Sequence, residues 1–587
     1  MFLATTADRR YWKTDGKILF LGEWCKVYDQ KHFWSKIDCQ ILPYHWNDRK
    51  KMHQDYQYLD GVYERYLAIL SQRLNKLHST NYSLRYWRII IGPWLNLFIG
   101  IIFDKFLSIQ AAKNSGLVTN TWVSSFKYPD FLAKDILSFR KLITIDDWNH
   151  FIYGQIIQSM GGLPYETMDG ETFLTRWDQG DPAPSSTHTK NTSRYHLGEI
   201  FRLVPNRFNK IFITATNLNF WDLIRLQLSL RQIPYLFTPR VEIEDSPVNE
   251  LARKEMSFEV GENQFESLLD EFILQNLPKV YVEGYAKVHS RSIEVFPERA
   301  KLIFSGGSIY SDEGFRFWAA YQVERGTKLC QHQYGGSYGS ILWSALENHE
   351  IKISDRYFSW GWALNNQPKV LPLSAGKLNK IKNKIRPKPN GSILWMSTSF
   401  PRYSYWMMSL FLGPKLLDHL KEHERFVGAV LPSVRNLLLM RYCPYDYGWG
   451  IEKRLTDVYP SLNVYRGEKP MCVDLNNSRL SISCVNSTTF LETLSANFPT
   501  LLYWNPDFFE LRESAYPHFN VLRQAGILHD NPESVAKKVN EVYEDTLSWW
   551  SAPEIQDAKD QFCRQFAFTS EKWISEWKAE ILKACET

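Results

Sequence analysis

The chain has 587 residues, of which 44% are hydrophobic and 23% charged, so it is long enough for two or more globular domains and is neither fibrous nor disordered. Its 69 basic and 64 acidic residues give a net charge of +5, which is too close to balance to predict a nucleic-acid partner. Eight cysteines without any CxxC spacing predict neither a disulfide framework nor a zinc site, and they fit a reducing cytoplasm.

The first segment, 1–199, is predicted to be a helical elaboration rich in aromatic residues. Apolar residues recur every three or four positions in 55–78, as on one face of a helix. The run 89–103 is apolar for about 15 residues, short of the roughly 20 that a membrane-spanning helix needs, so a buried hairpin or helix is expected. The polar stretch 177–196 predicts a long exposed loop or an internal linker. The first residues lack the basic-then-apolar order of a signal peptide, so no export is expected.

From 200 to 376, short β-type runs alternate with helical segments, which predicts parallel βαβ units in a first Rossmann-like, acceptor-side domain. The predicted strands are 210–216, 233–240, 301–307 and 327–333, with helices in 219–232 and 311–326. The basic stretch 377–391 contains two prolines and is predicted to be the linker to a further domain.

A second βαβ series in 392–552 predicts a nucleotide-sugar donor domain, and 553–587 predicts C-terminal helices long enough to cross back to the first half. The predicted strands are 392–399, 426–433, 463–467, 500–504 and one beginning at 480, with helices near 408–422 and 531–545. Two Rossmann-like halves that face a cleft make an α/β, GT-B-like architecture the predicted fold class.

A candidate phosphate seat lies where the strand beginning at 480 ends and a helix follows. The polar residues at this junction are Asn486, Ser487, Thr488 and Thr489, with Glu492 in the first turn, where its carboxylate could reach a ribose diol. Free backbone N–H groups and the positive end of the helix dipole favour an anion there. The alternative is a plain N-cap, which uses the same atoms.

The first turn of the same half is a second candidate for nucleotide or donor binding. Ser397, Thr398 and Ser399 leave a strand end, and Arg402 follows. Hydroxyl groups with a bidentate cation suit a phosphate or a carboxylate. Arg402 could equally form a surface salt bridge.

Two glycine-containing turns of the first half are predicted to form the sugar-binding wall. Their candidate residues are Ser305, Gly306 and Gly307 in the first turn, and Gln331, His332, Gly335, Gly336 and Tyr338 in the second. Both turns follow strands, so they should share the carboxyl edge of one parallel sheet, where α/β sites are built. The acids and bases expected on this rim are Asp312, Glu313, His332, Glu350 and Asp355. Glu283, in an aromatic and apolar segment, is a further candidate acid, or else an exposed residue at a strand end.

Several common motifs are absent from the sequence. There is no Asp-x-Asp metal motif, Walker loop, HExxH, GxSxG or GxGxxG. These absences disfavour metal-dependent GT-A chemistry, nucleoside-triphosphate hydrolysis and α/β-hydrolase chemistry, so no metal and no cofactor are expected.

The combination of ATTADRRYWKTD and ILFLGEWC near the start, RYWRIIIGPWL at 85–95, the turn QHQYGGSYG, SDRYFSWGW and NSTTFLETL resembles a bacterial family of surface-carbohydrate (O-antigen locus) transferases first described from spirochaetes. The likeness runs over nearly the whole chain. The second half also looks like that of GT-B enzymes that use CMP-activated keto acids, such as Kdo transferases and sialyltransferases. The usual turn of that group reads QHGG, whereas Gln333 and Tyr334 separate His332 from Gly335 here.

The resemblance implies a metal-independent glycosyltransferase with a CMP-activated Kdo-type or nonulosonic-acid donor and a lipid-linked or oligosaccharide acceptor. Asp355 then best suits the nucleophile and Glu283 the acid, while the sequence leaves the stereochemical outcome open. It also implies work in the cytoplasm, where the Trp-rich first 110 residues and the basic stretch 377–388 could contact the inner leaflet of the membrane. The alternatives are a non-catalytic glycan-binding scaffold, a transferase that uses a UDP- or GDP-sugar, and an epimerase or hydrolase of the same fold.

Overall fold

The computed structural model describes residues 1–169, 208–235, 238–404 and 406–586. The loop predicted at 177–196 lies outside these residues. The described chain forms three sheets, and every strand pairing in them is parallel. The strands are β1 Phe2–Ala4, β2 Ile18–Phe20, β3 Cys39–Ile41, β4 Asn120–Ser124, β5 Glu166–Met168, β6 Ile211–Thr214, β7 Leu302–Ser305, β8 Lys328–His332, β9 Arg356–Ser359, β10 Val370–Pro372, β11 Ser392–Met396, β12 Leu438–Tyr442, β13 Asn463–Arg466, β14 Ser478–Ser483, β15 Thr500–Tyr503 and β16 Leu528–His529.

Helices of seven or more residues surround the three sheets. They are α1 Arg49–Leu77, α2 Leu84–Asn114, α3 Ile136–Leu142, α4 Asp146–Met160, α5 Phe220–Ser229, α6 Gln264–Asn276, α7 Tyr285–Val295, α8 Glu313–Glu324, α9 Ala345–Ile353, α10 Gly376–Lys382, α11 Leu416–Ala429, α12 Ile451–Val458, α13 Thr488–Ser495, α14 Tyr516–Gln524, α15 Pro532–Val542, α16 Pro553–Phe566 and α17 Trp573–Glu586.

The N-terminal region contains a parallel sheet that the sequence analysis missed. Its strand order is β3-β2-β1-β4-β5, and each strand has only three to five residues. Such short strands give too few positions for a period of two to stand out against the long helical pattern beside them. The predicted helical elaboration is therefore only part of this region.

Helix α2 confirms the expectation that the apolar run 89–103 lies in a buried helix, but the helix is longer than that run. The helix has 31 residues and continues through Pro93, so by length and composition alone it is long and apolar enough to cross a membrane. Its most apolar 18-residue window is nevertheless 94% buried inside the protein, where α2 packs against α1, α4, α8 and α9. Five of the six tryptophans in the first 110 residues are likewise buried in the core, which removes them from any membrane-facing surface.

The second and third sheets form the two predicted α/β halves, and the predicted fold class is confirmed. Their strand orders are β10-β9-β8-β7-β6 and β13-β12-β11-β14-β15-β16. Two strand predictions are wrong: the described residues of 233–240 form no strand, and 426–433 contains the end of α11 and a short helix. A brief apolar run fits a buried helix turn as well as a strand, which explains the second error. Helix α11 also begins at Leu416, later than predicted.

The last helix returns to the first half. Helix α17 packs against β7 and β8, and the Trp577 indole donates a hydrogen bond of 2.8 Å to the Ser374 carbonyl. The Trp577 ring also contacts Phe304 and His332 on the second sheet. The chain end thus covers one face of the sheet that carries the predicted sugar-binding turns.

Candidate functional site

The turn after β8 is held in shape by Gln333, one of the two residues that separate His332 from the glycine pair. Its side-chain oxygen accepts from the Trp360 amide at 2.9 Å and from the Trp362 indole at 2.8 Å. Its side-chain nitrogen donates to the Gly335 carbonyl at 2.7 Å. Gln333 therefore fixes the backbone of the turn, and the departure from the QHGG pattern has a structural role.

This turn meets the start of α13 from the other half. The Gly336 amide donates to Thr488 Oγ1 at 2.8 Å, and the Asn486 side chain donates to Ser340 Oγ at 3.2 Å. A Cβ on Gly336 would lie 2.3 Å from the Ser487 carbonyl carbon, so only glycine permits this approach. The structure thus brings the sugar-wall candidates Gly335 and Gly336 to the phosphate-seat candidates.

The start of α13 is not capped as the plain N-cap alternative would require. Ser487 occupies the cap position but makes no side-chain capping hydrogen bond, and Thr488 accepts from Gly336 instead. Ser487, Thr488 and Thr489 are half-buried. First-turn N–H groups without a side-chain cap at the positive end of the helix dipole can bind an anion. Glu492 is not free for a ribose, because it forms an ion pair of 3.0 Å with Lys377 of α10.

His332 and Gln331 point to opposite faces of the second sheet, because neighbouring residues of a strand alternate. The His332 ring lies between Phe304 and Trp577 and packs against Gly306, where a Cβ would lie 2.5 Å from its Nε2. Its Nδ1 bonds the Gln333 carbonyl at 2.9 Å, and burial lowers the pKa of the ring to about 4. His332 is therefore neutral at pH 7.

The other face of the same strands carries buried polar groups. Ser305, Gln331 and Tyr357 are neighbours in register on β7, β8 and β9. The Ser305 hydroxyl and both polar atoms of the Gln331 side chain have no hydrogen-bond partner among the described residues. Buried polar atoms are normally paired, so this face is a candidate for ligand or water contact.

The first turn, after β7, contributes backbone rather than side chains to the site. Gly307 has a φ of +91° and begins a short helix, and a Cβ there would contact the Tyr334 ring at 3.4 Å. Gly306 makes room for the ring of His332. The two glycine turns therefore pack against each other at one edge of the sheet, as the sequence predicts.

Glu350, predicted from the sequence only as one of the rim acids, is the carboxyl group that the fold brings to these turns. It lies on α9, is 1% exposed, and accepts from the Tyr338 hydroxyl at 3.0 Å. Burial raises its pKa to about 8. On the same helix, Glu347 accepts from the Gly339 amide at 2.6 Å. Helix α9 thus supports the second turn through two carboxyl groups.

Asp355 does not lie on this rim, which corrects the predicted placement. It precedes β9 at the amino-terminal edge of the sheet, where it accepts from the Leu329 amide at 2.7 Å and pairs with Arg85 at 2.7 Å. Burial alone would raise the pKa of Asp355, but the bonds from Arg85 and Leu329 lower it below its usual value. Sequence spacing after β8 could not show this, because a strand entering a parallel sheet starts at the edge opposite to the site.

Glu283 is also separate from the turns. It follows a short 3-10 helix rather than a strand, and its carboxylate pairs with Arg253 through two hydrogen bonds of 2.8 Å. The Asn249 amide donates to the same carboxylate at 3.0 Å. Since both partners of the ion pair are buried, Glu283 and Arg253 form a structural pair.

In the turn after β11, the hydroxyl residues and Arg402 have different partners. Ser397 bonds His423 Nε2 at 2.6 Å, Thr398 is half-buried, and Ser399 lies against the Asp446 carbonyl at 3.4 Å. Arg402 is used internally: it pairs with Asp146 at 2.9 Å and donates to the carbonyls of Trp24 and Tyr447. Arg402 therefore joins the N-terminal region to the second half, and its guanidinium is not presented to a diphosphate.

A cavity of about 550 Å³ lies elsewhere, between the N-terminal sheet and α11. Its lining includes Lys26, Trp34, Lys415 and Arg454. The cavity lies at the carboxyl ends of β2 and β3, because its lining includes Glu23, which follows β2, and Ile41, the last residue of β3.

Solved structures with partial similarity include three carbohydrate-related proteins. The wall teichoic acid polymerase TagF has 10% identity and a TM-score of 0.29, with 49% of this chain and 73% of that chain covered. A UDP-N-acetylglucosamine 2-epimerase has 9% identity and a TM-score of 0.32, with 66% and 93% covered. WaaG, a glycosyltransferase involved in lipopolysaccharide biosynthesis, has 12% identity and a TM-score of 0.28, with 63% and 99% covered. At these TM-scores nothing about activity follows from the similarity.

No curated protein matches the chain significantly. A family model described as LIC12162 family transferase matches residues 1–581. This match agrees with the surface-carbohydrate transferase family that the motifs resemble. Because it covers nearly the whole chain, including all three sheets, the protein belongs to the LIC12162 family of transferases.

Proposed function

We propose that this transferase is a glycosyltransferase of surface-polysaccharide biosynthesis that takes a CMP-activated Kdo-type or nonulosonic-acid donor. The observation that carries the proposal is the contact between the second glycine turn and the start of α13, where Gly336 bonds Thr488 at 2.8 Å. This contact joins the carboxyl edges of two parallel sheets, which is where α/β proteins bind nucleotides and sugars.

The phosphate of the leaving nucleotide fits the start of α13. A CMP donor releases a nucleotide with one phosphate, and the first-turn N–H groups next to Ser487 and Thr489 can stabilise its charge without a metal. Ser397 and Thr398, at the end of the neighbouring strand β11, are the proposed further donor contacts. A UDP- or GDP-sugar would place a second phosphate here, and Arg402 is already paired with Asp146.

Proton transfer at the site is assigned to Glu350 rather than to Asp355 and Glu283. Glu350, with a pKa of about 8, holds its proton at neutral pH and can release it near that value, whereas the burial that lowers the pKa of His332 to about 4 disfavours a proton on that ring. Glu350 would exchange a proton with the acceptor hydroxyl. Asp355 and Glu283 are each held by an arginine.

The acceptor is proposed to be a lipid-linked or oligosaccharide glycan, reached from the cytoplasmic side of the membrane. The chemistry of surface glycans supports this choice, since their precursors carry lipid anchors. Contact with the inner leaflet remains part of the proposal. It rests on the basic residues of 377–388, because the tryptophans of the first 110 residues are mostly buried.

Thermal-shift titration of the purified protein with CMP, UDP, GDP and UMP tests the donor, because a ligand that binds only the folded state raises the melting temperature. We expect a shift with CMP that is reduced in Thr488→Val and unchanged in Asp355→Asn. A shift with UDP or GDP alone would keep glycosyl transfer but exclude the CMP donor. No shift with any nucleotide, together with measurable affinity for the glycan, would favour the scaffold alternative.

A further inference from the structure

Two histidines and a cysteine meet inside the second half, beneath the turn after β11. His419 and His423 lie four residues apart on α11 and so share one face of the helix. Cys484 follows the last residue of β14. One ligand atom from each of the three residues lies within 4.8 Å of the others, and all three residues are buried.

His419, unlike His423, has two ring nitrogens without a hydrogen-bond partner among the described residues. The residue is 0% exposed, so both nitrogens are buried. Leaving a buried polar atom unpaired is unfavourable, because it loses its hydrogen bonds to water without replacing them. A fully buried imidazole with two such atoms therefore calls for a ligand that the protein atoms do not supply.

A neighbouring hydroxyl holds the His423 ring in an orientation suited to a metal, and a carboxylate lies near the His419 ring. The Glu422 carboxylate lies 3.6 Å from His419 Nδ1, too far for a hydrogen bond, and the Tyr503 hydroxyl bonds His423 Nδ1 at 3.3 Å. His423 Nε2 lies 2.6 Å from Ser397 Oγ and 3.8 Å from Cys484 Sγ, so a metal on Nε2 would replace its hydrogen bond with Ser397. An outer carboxylate or hydroxyl on Nδ1 with a metal on Nε2 is the usual arrangement of ligating histidines.

The charges also match a divalent ion. Cys484 binds a metal as a thiolate, giving up the proton that its thiol now donates to the Met396 carbonyl. The thiolate and the nearby Glu422 carboxylate together carry two negative charges, which offset the charge of a divalent cation in a buried site. Two imidazoles and one thiolate are ligands that Zn²⁺ takes readily, with Ser397 Oγ, 2.6 Å from His423 Nε2, beside the site.

We propose that His419, His423 and Cys484 hold a zinc ion, with the Ser397 hydroxyl or a water in the fourth position of its tetrahedron. The ion would join α11 to the ends of β11 and β14, and so fix the Ser397 turn that borders the start of α13. The inference does not depend on the donor or on glycosyl transfer. Sequence spacing could not reveal it, since 61 positions separate His423 from Cys484.

The first test is metal content and cobalt substitution in the wild-type chain. Protein purified without chelators and dialysed should retain about one zinc per chain. Replacing the metal with Co²⁺ should give a thiolate-to-cobalt charge-transfer band in the near ultraviolet, together with the intense visible bands of tetrahedral cobalt. Removal of zinc should lower the melting temperature, and its return should restore it.

Substitutions of the proposed ligands test which residues bind the metal. Cys484→Ala should abolish the charge-transfer band, and His419→Gln should weaken zinc binding by more than the roughly 10–100-fold that loss of an outer partner of a ligand costs. The matched control replaces the five half-exposed cysteines by Ser and should keep the band; they are Cys39, Cys443, Cys472, Cys563 and Cys585. If Cys484→Ala does not fold, the control variant still decides the source of the band. Persistence of the band excludes the half-exposed thiols, and its loss assigns the band to one of them and contradicts the proposal. Wild-type protein that binds less than about a tenth of an equivalent of zinc after incubation would overturn the proposal.

Discussion

Polar groups near the two edges of the second sheet differ in whether a partner compensates them. At the amino-terminal edge, Asp355 is paired with Arg85 and bonded by the Leu329 amide, so its charge is compensated. By contrast, Glu350, which accepts from Tyr338 of the turn at the carboxyl edge, has tyrosine neighbours and no cation in contact among the described residues, and the Gln331 side chain has no hydrogen-bond partner there. A carboxyl group that has no compensating cation in the folded protein is therefore the better candidate for a functional residue, because it exchanges a proton or binds a ligand more readily than a paired one.

The largest effect is expected from Glu350→Gln, which keeps the size and the Tyr338 hydrogen bond but removes the titratable proton. If Glu350 transfers a proton, kcat should fall about 10³-fold, within the range of general acid–base catalysis. A donor-and-acceptor assay with a CMP-sugar measures this. Asp355→Asn is the control at the opposite edge and should keep the kcat of its folded fraction. Equal kcat in Glu350→Gln and wild type would remove Glu350 from the mechanism.

Gly336→Ala should prevent the two halves from meeting. The new Cβ would lie 2.3 Å from a backbone atom of Ser487, which cannot rotate away, so the turn must retreat from α13. Misplacement by about 1 Å can cost roughly 10²-fold in rate, and we expect a loss of that order with little change in melting temperature.

Gly335→Ala is the matched control for this substitution. A Cβ there meets only Thr488 Oγ1, at 3.4 Å, which is an ordinary contact. Neither glycine has a positive φ, so backbone strain does not separate the two variants. Similar rates for Gly336→Ala and Gly335→Ala would show that the contact between the halves is not needed for transfer.

Asp355→Asn should affect stability instead of activity. The substitution weakens charge-assisted hydrogen bonds with Arg85 and the Leu329 amide, so the free energy of unfolding should fall by about 2 kcal/mol. Urea denaturation followed by circular dichroism measures this loss. A drop in kcat without a change in the urea midpoint would return Asp355 to the catalytic candidates.

Glu350 and Asp355 should also make the stability of the protein depend on pH in opposite ways. This is the smallest of the four expected effects. Because the pKa of Glu350 is raised from 4.5 to about 8, its favourable contribution is complete below pH 4.5 and is lost as pH rises toward 8. The pKa of Asp355 is lowered, so its contribution is present above pH 3.8 and is lost as pH falls through the folded value.

Thermal unfolding of wild type and Glu350→Gln at pH 5 and pH 8 checks this sign. We expect the variant to gain stability over wild type on going from pH 5 to pH 8, because Gln cannot ionise. A constant difference between the two proteins across this range would mean that Glu350 ionises normally in the folded state.

The sequence by itself determined the two α/β halves, most of their strands, the glycine turns and the polar start of α13. These features are local: hydrophobic runs, glycine pairs and helix-start residues act over a few neighbouring positions. The motifs also indicated the transferase family, which the family model confirms.

Only the tertiary structure decided which of the candidates share a site. Strand alternation put Gln331 and His332 on opposite faces, parallel pairing put Asp355 at the edge away from the turns, and Arg402 was drawn to Asp146 of the N-terminal region. The same packing left Glu350 without a cation and gathered His419, His423 and Cys484. Ion pairs and burial depend on residues far apart in the chain, and it is these long-range contacts that set the charge and accessibility of a carboxylate.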